Sequence, residues 1–323
     1  MILVVVEHES GVPDRLSSEA LALGHTLAGT TGAQLHAVAW GPGAATLAGP
    51  LGGSGVAVLH VLDDPRLTDH APEATGKALA QLIARDAPDA VLGPSSDRGA
   101  EVMAHAAARA GLPLVANCTD VRPGASWQVT RQRWGGSLLE EAVLDGATRL
   151  LTVAPHAFEP AAVAPAAAAA AVQPFAADLT DRDFRVRITS RVPAEAGRIS
   201  LADARVVVGG GRGVGSAEAF ADLDELAALL GGAVGVSRVV TSAGWRPHAQ
   251  QVGQTGTRIA PDLYIACGIS GAIQHIVGCR SAKAILAINT DRDAPMVTRA
   301  TYAVIGDLHT VLPAINAAVR AAR

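Results

Sequence analysis

The chain has 323 residues, which is long enough for two domains that each bury a core of their own. Its net charge of −4, with no block rich in lysine or arginine, argues against a general nucleic-acid-binding protein. Hydrophobic residues make up 49% of the chain and aromatic residues only 3%, so we expect a core of small aliphatic contacts, as in helix-on-sheet α/β packing.

The first residues and the cysteines bear on the compartment. Residues 2–6 are apolar, but Glu7 and Glu9 follow at once and no cationic segment precedes them, so they are predicted to form a β-strand and not a signal peptide. No apolar run approaches the roughly 20 residues that a membrane-spanning helix needs. The three cysteines lack metal-like spacing, which is typical of reduced thiols. We therefore expect a cytoplasmic protein.

Strands and helices alternate regularly over the first 116 residues. The predicted strands are residues 2–6, 35–40, 56–62, 89–92 and 112–116; the predicted helices begin near Ser17-Ser18-Glu19 and end at Gly32, span 72–86, and span 98–110 after a cap at Ser95-Ser96-Asp97. This order predicts a mainly parallel sheet covered by helices.

From Cys118 onward the pattern indicates antiparallel hairpins. Residues 127–133 and 138–143 are predicted as paired strands, and residues 150–154 are predicted to close the set. Two small-residue loops, Gly52-Gly53-Ser54-Gly55 and Ser95-Ser96-Asp97, could bind phosphate. Neither completes a GxGxxG or a P-loop with its lysine, so structural loops are the favoured interpretation.

An alanine-rich segment links the two halves. Residues 161–171 are of low complexity, and residues 184–188, FRVRI, alternate so as to suit an edge strand. The breaker-rich residues 193–197 predict the boundary. The expected domains are therefore residues 1–196, including a linker over 155–196, and residues 197–323.

The second half opens with a strand and a glycine-rich turn. Residues 204–208 are a predicted strand that feeds into GGGRGVGS at 209–216, followed by a predicted helix over 217–230. This order is typical of dinucleotide-binding folds, although such turns also serve plain strand–helix packing. Arg212 is either a ligand of a pyrophosphate or a surface arginine.

The stretch PDLYIACGISGAIQHIVG, residues 261–278, repeats this arrangement. A buried strand over 263–267 is followed by a Gly268–Gly271 turn and a helix-compatible segment over 272–277, which predicts an anion site at the helix N-terminus. Ser270 either caps that helix or donates to a phosphate, and His275 lies close by.

Further strands end in small or polar residues. Residues 284–288 lead to Asn289, and residues 302–305 lead to Gly306-Asp307-Leu308. Asp307 is predicted to cap the last helix, with Pro313 in its first turn. Because ligands of open parallel sheets bind at the carboxyl ends of the strands, these residues predict one site.

Six motifs of the second half together resemble one known protein family. The motifs VVVGGGRG, Ser237-Arg238, QVGQTG at 251–256, PDLYIACGISGAIQH at 261–275, AIN at 287–289 and GDL at 306–308 resemble, in order and spacing, the α subunit of electron-transfer flavoprotein, the FixB family. The first half resembles that family more diffusely. Three departures are Thr241-Ser242 where an acidic residue is usual, Cys267 for valine, and Thr301 for aspartate.

The resemblance implies a fold and a cofactor. The fold is α/β, with a nucleotide-binding-like N-terminal domain that carries antiparallel hairpins, and a C-terminal Rossmann-like domain that binds FAD. The resemblance assigns Arg212, Ser270, Gly271 and Gln274 to the pyrophosphate and ribityl region, Asn289, Asp307 and Leu308 to the adenosine end, and Ser237, Arg238, Gly253, Thr255 and His275 to the ribityl chain and flavin ring. Val252, Gln254, Ala272 and Ile273 complete the cofactor-binding set within the same motifs.

Three of these residues are expected to tune the flavin. Thr255 would donate to flavin N5, whereas Arg238 and a charge-assisted hydrogen bond from His275 would stabilise negative charge at N1–C2=O. No metal ligands and no catalytic nucleophile–base pair are expected, because the flavin carries the electron chemistry.

The resemblance also implies a function and partners. The chain would pair with an electron-transfer flavoprotein β subunit, accept electrons from dehydrogenases such as the acyl-CoA dehydrogenases of fatty-acid β-oxidation, and pass them to a membrane quinone oxidoreductase of the respiratory chain. It would be an electron carrier and not an enzyme. Two alternatives stay open: a subunit of an electron-bifurcating flavoprotein, and a flavin-dependent oxidoreductase acting on a small substrate.

Overall fold

The computed structural model describes residues 1–160, 168–190 and 199–322. The chain divides into two compact units, Met1–Val192 and Pro193–Arg323. The boundary predicted at residues 193–197 lies outside the described residues, as does most of the low-complexity segment. No helix of the described residues is long and apolar enough to cross a membrane.

The first unit is built on a nine-stranded sheet and a short two-stranded ribbon. The strands of the unit are β1 (Ile2–Val5), β2 (His8–Glu9), β3 (Val12–Pro13), β4 (Leu35–Trp40), β5 (Val58–Leu62), β6 (Ala90–Pro94), β7 (Leu114–Arg122), β8 (Trp127–Arg133), β9 (Leu138–Leu144), β10 (Arg149–Val153) and β11 (Ala171–Phe175). The large sheet has the order β11-β5-β4-β1-β6-β10-β7-β8-β9, and β2 and β3 form a separate antiparallel ribbon. The helices are α1 (Arg15–Thr31), α2 (Ala48–Gly53), α3 (Pro72–Asp86) and α4 (Asp97–Ala110).

Alternation along β1 divides the core of this unit between the two faces of the sheet. Ile2 and Val4 belong to one buried cluster, which includes Leu27 of α1. Leu3 and Val5 belong to the other, which includes side chains of α3 and α4. Because all four β1 side chains are fully buried, β1 is a central strand covered on both faces, as in parallel α/β sheets.

The helices α1 and α4 of this unit both have side-chain N-caps, and the cap of α1 is not the predicted residue. The Asp14 carboxylate, and not Ser17 or Ser18, caps α1, accepting from the Ser17 N–H at 2.7 Å. The helix ends at Gly32, whose φ is 68°. Ser96 caps α4 as predicted, with its Oγ accepting from the Gly99 N–H at 2.8 Å.

Two strand predictions for the first unit were wrong. The strand β10 does not close an antiparallel set; it lies between β6 and β7 and is parallel to both. Its fully buried apolar side chains suit a position inside the sheet, and β7 changes from parallel pairing with β10 to antiparallel pairing with β8 along its length. The edge strand next to β5 is β11, which is parallel to β5, and not residues 184–188. Phe184 instead ends a 3₁₀ turn, and its ring lies under the Arg66 guanidinium, 4.4 Å away.

The second unit contains five parallel strands. They are β12 (Val206–Gly210), β13 (Ala233–Val236), β14 (Leu263–Cys267), β15 (Ala284–Asn289) and β16 (Tyr302–Ile305), in the order β13-β12-β14-β15-β16. Its helices are α5 (Ala221–Leu230), α6 (Arg238–Ser242), α7 (Ile273–Cys279), α8 (Pro295–Arg299) and α9 (Leu308–Ala321). The strand order reverses direction between β12 and β14, which makes a crevice outside their carboxyl ends the expected ligand position.

The local differences in this unit are small. Strand β13 was not predicted, and α5 begins after a 3₁₀ turn over Glu218–Phe220 instead of at residue 217. Asp307 caps α9 as expected, but Pro313 lies inside that helix and not in its first turn. The predicted α/β fold class, with hairpins in the first unit and a Rossmann-like second unit, is confirmed.

Candidate cofactor site

Two glycine turns cross at the carboxyl ends of β12 and β14. The Gly211 N–H donates to the Cys267 carbonyl at 2.9 Å, and the Gly213 N–H donates to the Gly268 carbonyl at 3.0 Å. A Cβ atom on Gly211 would collide with the Gly268 carbonyl oxygen, and one on Gly213 would lie 2.7 Å from the Gly268 Cα. The sequence needs glycine here because the two backbones touch.

The second turn, Gly268–Gly271, is braced from two neighbouring elements. The Asn289 side chain at the end of β15 donates from Nδ2 to the Ile269 carbonyl at 3.1 Å. The Met296 N–H of α8 donates to the Ser270 carbonyl, also at 3.1 Å. The side-chain amide of Asn289 is fixed at both ends, because its Oδ1 also accepts from the Asp291 N–H at 3.1 Å.

These turns form one wall of a cavity of about 770 Å³ within the second unit. Its described lining is Arg212, Gly213, Ser237, Arg238, Val239, Ser242, Gln251, Val252, Gly253, Gln254, Thr255, Gly268, Ile269, Ser270, Gly271, Ala272, Gln274, His275, Asn289, Asp291 and Ala294. The cavity brings together the sequence-predicted cofactor residues except Ile273, Asp307 and Leu308.

Those three residues are absent from the described lining of the cavity. Ile273 is the first residue of α7, and its side chain is 68% exposed. Asp307 accepts from the His309 N–H at 3.0 Å as the cap of α9, and Leu308 packs into the core. Their assignment to the cofactor stays a prediction.

Several lining residues were missed from the sequence. Gly213, Val239, Ser242, Gln251, Gly268, Ile269, Asp291 and Ala294 line the cavity without having been assigned to it. A signal existed for most, because Gln251 begins the QVGQTG motif, Gly268 and Ile269 lie in the turn itself, and Ser242 lies one helical turn beyond Arg238. Asp291 and Ala294 reach the cavity through the loop after β15, which no pattern in the sequence reveals.

Arg212 and Arg238 give the cavity its charge. Among the residues that the structure describes, neither guanidinium has a carboxylate partner, and both side chains are exposed at the cavity. Three other arginines of this unit are paired: Arg205 with Asp262 at 2.6 Å, Arg320 with Glu225 at 2.7 Å, and Arg246 with Asp224. Two uncompensated guanidinium groups beside a crevice suit an anionic ligand such as a pyrophosphate.

The start of α7 adds hydrogen-bond donors to the same wall. Its N-cap is Ala272, which offers no side-chain acceptor to the first-turn N–H groups. Ser270 does not cap the helix, so of its two predicted roles donation to a ligand is the one left open. Its exposed side chain lies on the cavity lining.

His275 is buried, with 6% of its surface exposed. Its Nε2 lies 2.7 Å from the Tyr264 hydroxyl, and its Nδ1 has no partner of hydrogen-bonding geometry among the described residues. Burial lowers the pKa of His275 to about 4, against a smaller opposing effect of the Val252 carbonyl. The imidazole is therefore neutral near pH 7, in contrast to the charge-assisted donor expected from the sequence, and Arg238 supplies positive charge on this side.

Thr255 is held by a polar side chain that the sequence did not single out. Gln251 is 2% exposed and donates from Nε2 to the Thr255 Oγ1 at 2.9 Å. Its Oε1 accepts from the Thr241 hydroxyl at 2.7 Å. The Thr255 hydroxyl thus has a defined neighbour on one side and the cavity on the other.

Comparisons with known proteins agree with this geometry. Residues 2–179 match the family model "Electron transfer flavoprotein domain", and residues 200–280 match "Electron transfer flavoprotein FAD-binding domain". The electron transfer flavoprotein subunit alpha of Mycobacterium tuberculosis is 39% identical over 322 residues, covering 99% of this chain and 98% of that protein.

Two further relatives extend this similarity. Protein FixB of Bradyrhizobium diazoefficiens is 38% identical over 328 residues, covering 99% of this chain and 88% of that protein. The electron transfer flavoprotein subunit alpha of Thermoanaerobacterium thermosaccharolyticum is 34% identical over 317 residues, covering 97% and 96%. A solved putative thiamin diphosphate-dependent enzyme from Mycobacterium smegmatis, at 14% identity and a TM-score of 0.24 over 98% of this chain and 59% of that one, carries no structural argument.

The residues present fit FAD. The uncompensated Arg212 and Arg238, the uncapped start of α7 and the orphaned Nδ1 of His275 are the kinds of group that a pyrophosphate and a polar ring system would satisfy. The cofactor prediction is confirmed by the match to an FAD-binding domain over residues 200–280. The chain therefore belongs to the family of electron-transfer flavoprotein α subunits, which are electron carriers.

Proposed function

We propose that this chain is the FAD-holding subunit of a heterodimer with an electron-transfer flavoprotein β subunit. It accepts electrons from dehydrogenases, such as acyl-CoA dehydrogenases, and passes them to a membrane quinone oxidoreductase. The observation that carries the proposal is the cavity at the β12–β14 switch point, where Arg212 and Arg238 have no carboxylate partner among the described residues. FAD supplies one- and two-electron transfer when bound.

In this proposal the wall formed by the glycine turns binds the pyrophosphate and ribityl region of FAD. We assign Arg212, Ser270, Gly271 and Gln274 to this region. Support comes from the exposed guanidinium of Arg212 and from the start of α7, where Ala272 leaves first-turn N–H groups without a side-chain acceptor. A phosphate there gains charge-assisted hydrogen bonds without displacing an existing ion pair.

We assign the ribityl chain and the flavin ring to Ser237, Arg238, Gly253, Thr255 and His275. Val252, Gln254, Ala272 and Ile273 are assigned to the cofactor as neighbours of these residues in the same motifs. Arg238 contributes positive charge, while neutral His275 and Thr255 contribute directional hydrogen bonds. Asn289, Asp307 and Leu308 are assigned to the adenosine end, where Asn289 acts mainly by bracing the turn through the Ile269 carbonyl.

An exposed apolar surface of the first unit supports a protein partner. The hairpin of β8 and β9 exposes Trp134 by 79%, Leu138 by 56%, Leu139 by 68% and Val143 by 61%. Strand β9 lies at the edge of the sheet, so its outer backbone groups are also unpaired within that sheet. Edge strands with exposed apolar side chains are a common place for association with another chain.

The test is co-expression with a β subunit, followed by cofactor analysis and reduction. We expect one FAD per heterodimer, and reduction of that FAD by an acyl-CoA dehydrogenase with its substrate. Finding FMN or NAD in the intact complex, or finding no cofactor in it, would overturn the assignment. A flavin-replete single chain that takes up electrons without a β subunit would contradict the heterodimer.

The same experiment separates the remaining alternatives. Reduction by a small organic substrate with no donor protein would favour a flavin-dependent oxidoreductase. Reduction by NADH with a second flavin in the complex would favour an electron-bifurcating carrier. The carrier proposal expects neither reductant to act at a comparable rate in the absence of a dehydrogenase.

A further inference from the structure

Gln251 joins two threonines through its side-chain amide. Its backbone is fixed on both sides, because its N–H donates to the His248 carbonyl at 2.8 Å and its carbonyl accepts from the Thr257 N–H at 2.7 Å. Its side chain reaches Thr241 of α6 on one side and Thr255 of the cavity wall on the other. With 2% of its surface exposed, Gln251 has little access to water that could replace these partners.

The number of protons on these groups determines the direction of each hydrogen bond. An amide oxygen only accepts and an amide nitrogen only donates, whereas each threonine hydroxyl has one proton. With Gln251 Oε1 toward Thr241, the Nε2 donates to Thr255 Oγ1. The single proton of Thr255 is then directed away from Gln251, and Thr255 lines the cavity.

A second arrangement satisfies the same groups. The Thr241 hydroxyl lies 2.9 Å from the Arg238 carbonyl, so its proton has an acceptor other than Gln251. If the amide turns over, Nε2 donates to Thr241 Oγ1, Thr241 donates to the Arg238 carbonyl, and Gln251 Oε1 accepts the proton of Thr255. Each hydrogen bond lost is replaced by another, and Thr255 then presents lone pairs, not a proton, to the cavity.

We propose that Thr241, Gln251 and Thr255 form a reversible hydrogen-bond relay that sets whether Thr255 donates to or accepts from the bound cofactor. This inference rests on the proposed function and on the contact between Thr255 and flavin N5 that the family resemblance implies. Oxidised flavin has an acceptor at N5 and fully reduced flavin has an N–H donor there. The relay lets one hydroxyl serve both states, with Gln251 and Thr241 as positioning residues.

Substitutions at Thr241 distinguish the two directions of the relay. A carboxylate only accepts, so Thr241→Asp holds the amide with Nε2 toward position 241 and draws the Thr255 proton toward Gln251. Thr241→Val removes the partner without adding charge, so neither direction is favoured from that side. Thr241→Ser keeps the hydroxyl. Ala243→Asp places the same charge at an exposed residue of the segment, outside the described cavity lining.

The measurement is ¹⁵N NMR of the heterodimer loaded with FAD labelled at N5, together with reductive titration. Hydrogen-bond donation to oxidised N5 is expected to be equal in wild type and Thr241→Ser, weaker in Thr241→Val, and weakest in Thr241→Asp, close to Thr255→Val. The oxidised–reduced equilibrium should move about three- to tenfold between wild type and Thr241→Asp, the range of one neutral hydrogen bond. Circular dichroism establishes that each variant is folded.

Two results would overturn the relay. One is an N5 signal that moves no further in Thr241→Asp than in Ala243→Asp, because charge alone would then explain it. The other is an unchanged signal in both Thr241→Val and Thr241→Asp at full FAD occupancy. Failure of the wild-type complex to hold FAD would instead contradict the proposed function, so the two failures are distinguishable.

Discussion

The two units each carry a cavity within a parallel α/β framework, and these cavities differ in charge. The first unit's cavity, of about 610 Å³, has the carboxylates of Glu7, Glu9, Asp14 and Asp69 on its described lining together with the Arg98 guanidinium. The second unit's cavity, of about 770 Å³, has Arg212 and Arg238 on its described lining together with the Asp291 carboxylate. A dianionic pyrophosphate is attracted to the second set of charges and repelled by the first.

The helix starts beside the two cavities differ in the same direction. In the first unit Ser96 caps α4 and donates to Glu7 Oε2 at 2.6 Å, so the helix start is satisfied and a carboxyl group lies against it. In the second unit the N-cap of α7 is Ala272, which has no side-chain group to cap the helix. Strand topology therefore provides a place for a ligand, whereas helix capping and local charge decide whether an anion can bind there.

The largest expected effect comes from forcing apart the two touching turns of the second unit. In Gly211→Val the new side chain would collide with the Gly268 carbonyl, so the β12 and β14 turns must separate. We expect loss of bound FAD and destabilisation of the second unit by about 3 kcal/mol or more. The check is FAD content together with hydrogen exchange of the β12 and β14 amides.

Gly29→Ala is the matched control for that variant. A Cβ at Gly29 of α1 would meet nothing within 4 Å. It should leave FAD content unchanged and stabilise α1 slightly, since alanine favours helices over glycine. Retention of FAD by Gly211→Val would show that backbone contact of the two turns is not needed for the site.

The acidic cavity of the first unit predicts a pH dependence of its stability. Burial raises the pKa of Glu7 from 4.5 to about 7, and the pKa of the neighbouring Asp14 is raised by burial as well. Between pH 4.5 and 7 the folded chain holds a proton that the unfolded chain has lost. The free energy of unfolding therefore falls as pH rises through that window, by at most about 3 kcal/mol from Glu7.

Hydrogen exchange of the α1 amides measures this effect inside the first unit. Their opening free energy should decrease from pH 5 to pH 7.5 once the intrinsic exchange rates are divided out. Glu7→Gln, which cannot ionise, should flatten that profile. An opening free energy that stays level over this range in the wild type would show that Glu7 ionises with an ordinary pKa.

The third effect tests the uncompensated charges. Arg212→Gln removes a guanidinium without a carboxylate partner among the described residues, and we expect FAD to bind about ten- to a hundredfold more weakly, the range of a charge-assisted hydrogen bond. Arg205→Gln removes a guanidinium paired with Asp262 on the same unit and should leave FAD affinity unchanged. The measurement is a fluorescence titration of FAD into the apo-heterodimer. Equal weakening in both variants would mean that general charge, and not the cavity, holds FAD.

Much of the fold could be predicted because local patterns determine it. Strands β4, β14 and β16 and helix α3 have their predicted bounds, since each of these strands is followed by a glycine and α3 begins at a proline. Strand β13 was missed because its four residues, AVGV, include a glycine that interrupts the apolar run. The insertion of β10 between β6 and β7 depends on pairing between distant residues, which no local pattern encodes.

The site was predictable to a similar depth. The motifs identified the residues that line the cavity because those residues follow the strands directly. Two electrostatic features were not readable from the motifs. Gln251 bridges residues of two elements, and the neutrality of His275 follows from its burial; both features arise only when the chain folds.

The smallest effect concerns His275 and sharpens the contrast between a charged and a neutral group at the same wall. Because the pKa of His275 is lowered to about 4, it contributes a neutral hydrogen bond between pH 5.5 and 8.5. His275→Ala should keep FAD bound, since the pyrophosphate contacts remain, and shift the oxidised–reduced equilibrium about three- to tenfold toward the oxidised form. That shift should be the same at every pH in this range. Reductive titration of both proteins at pH 5.5, 7 and 8.5 measures the shift. A shift that fades above pH 6.5 would mean that the imidazole is charged at the lower pH values. A shift of zero at equal FAD occupancy would mean that His275 only packs against Tyr264.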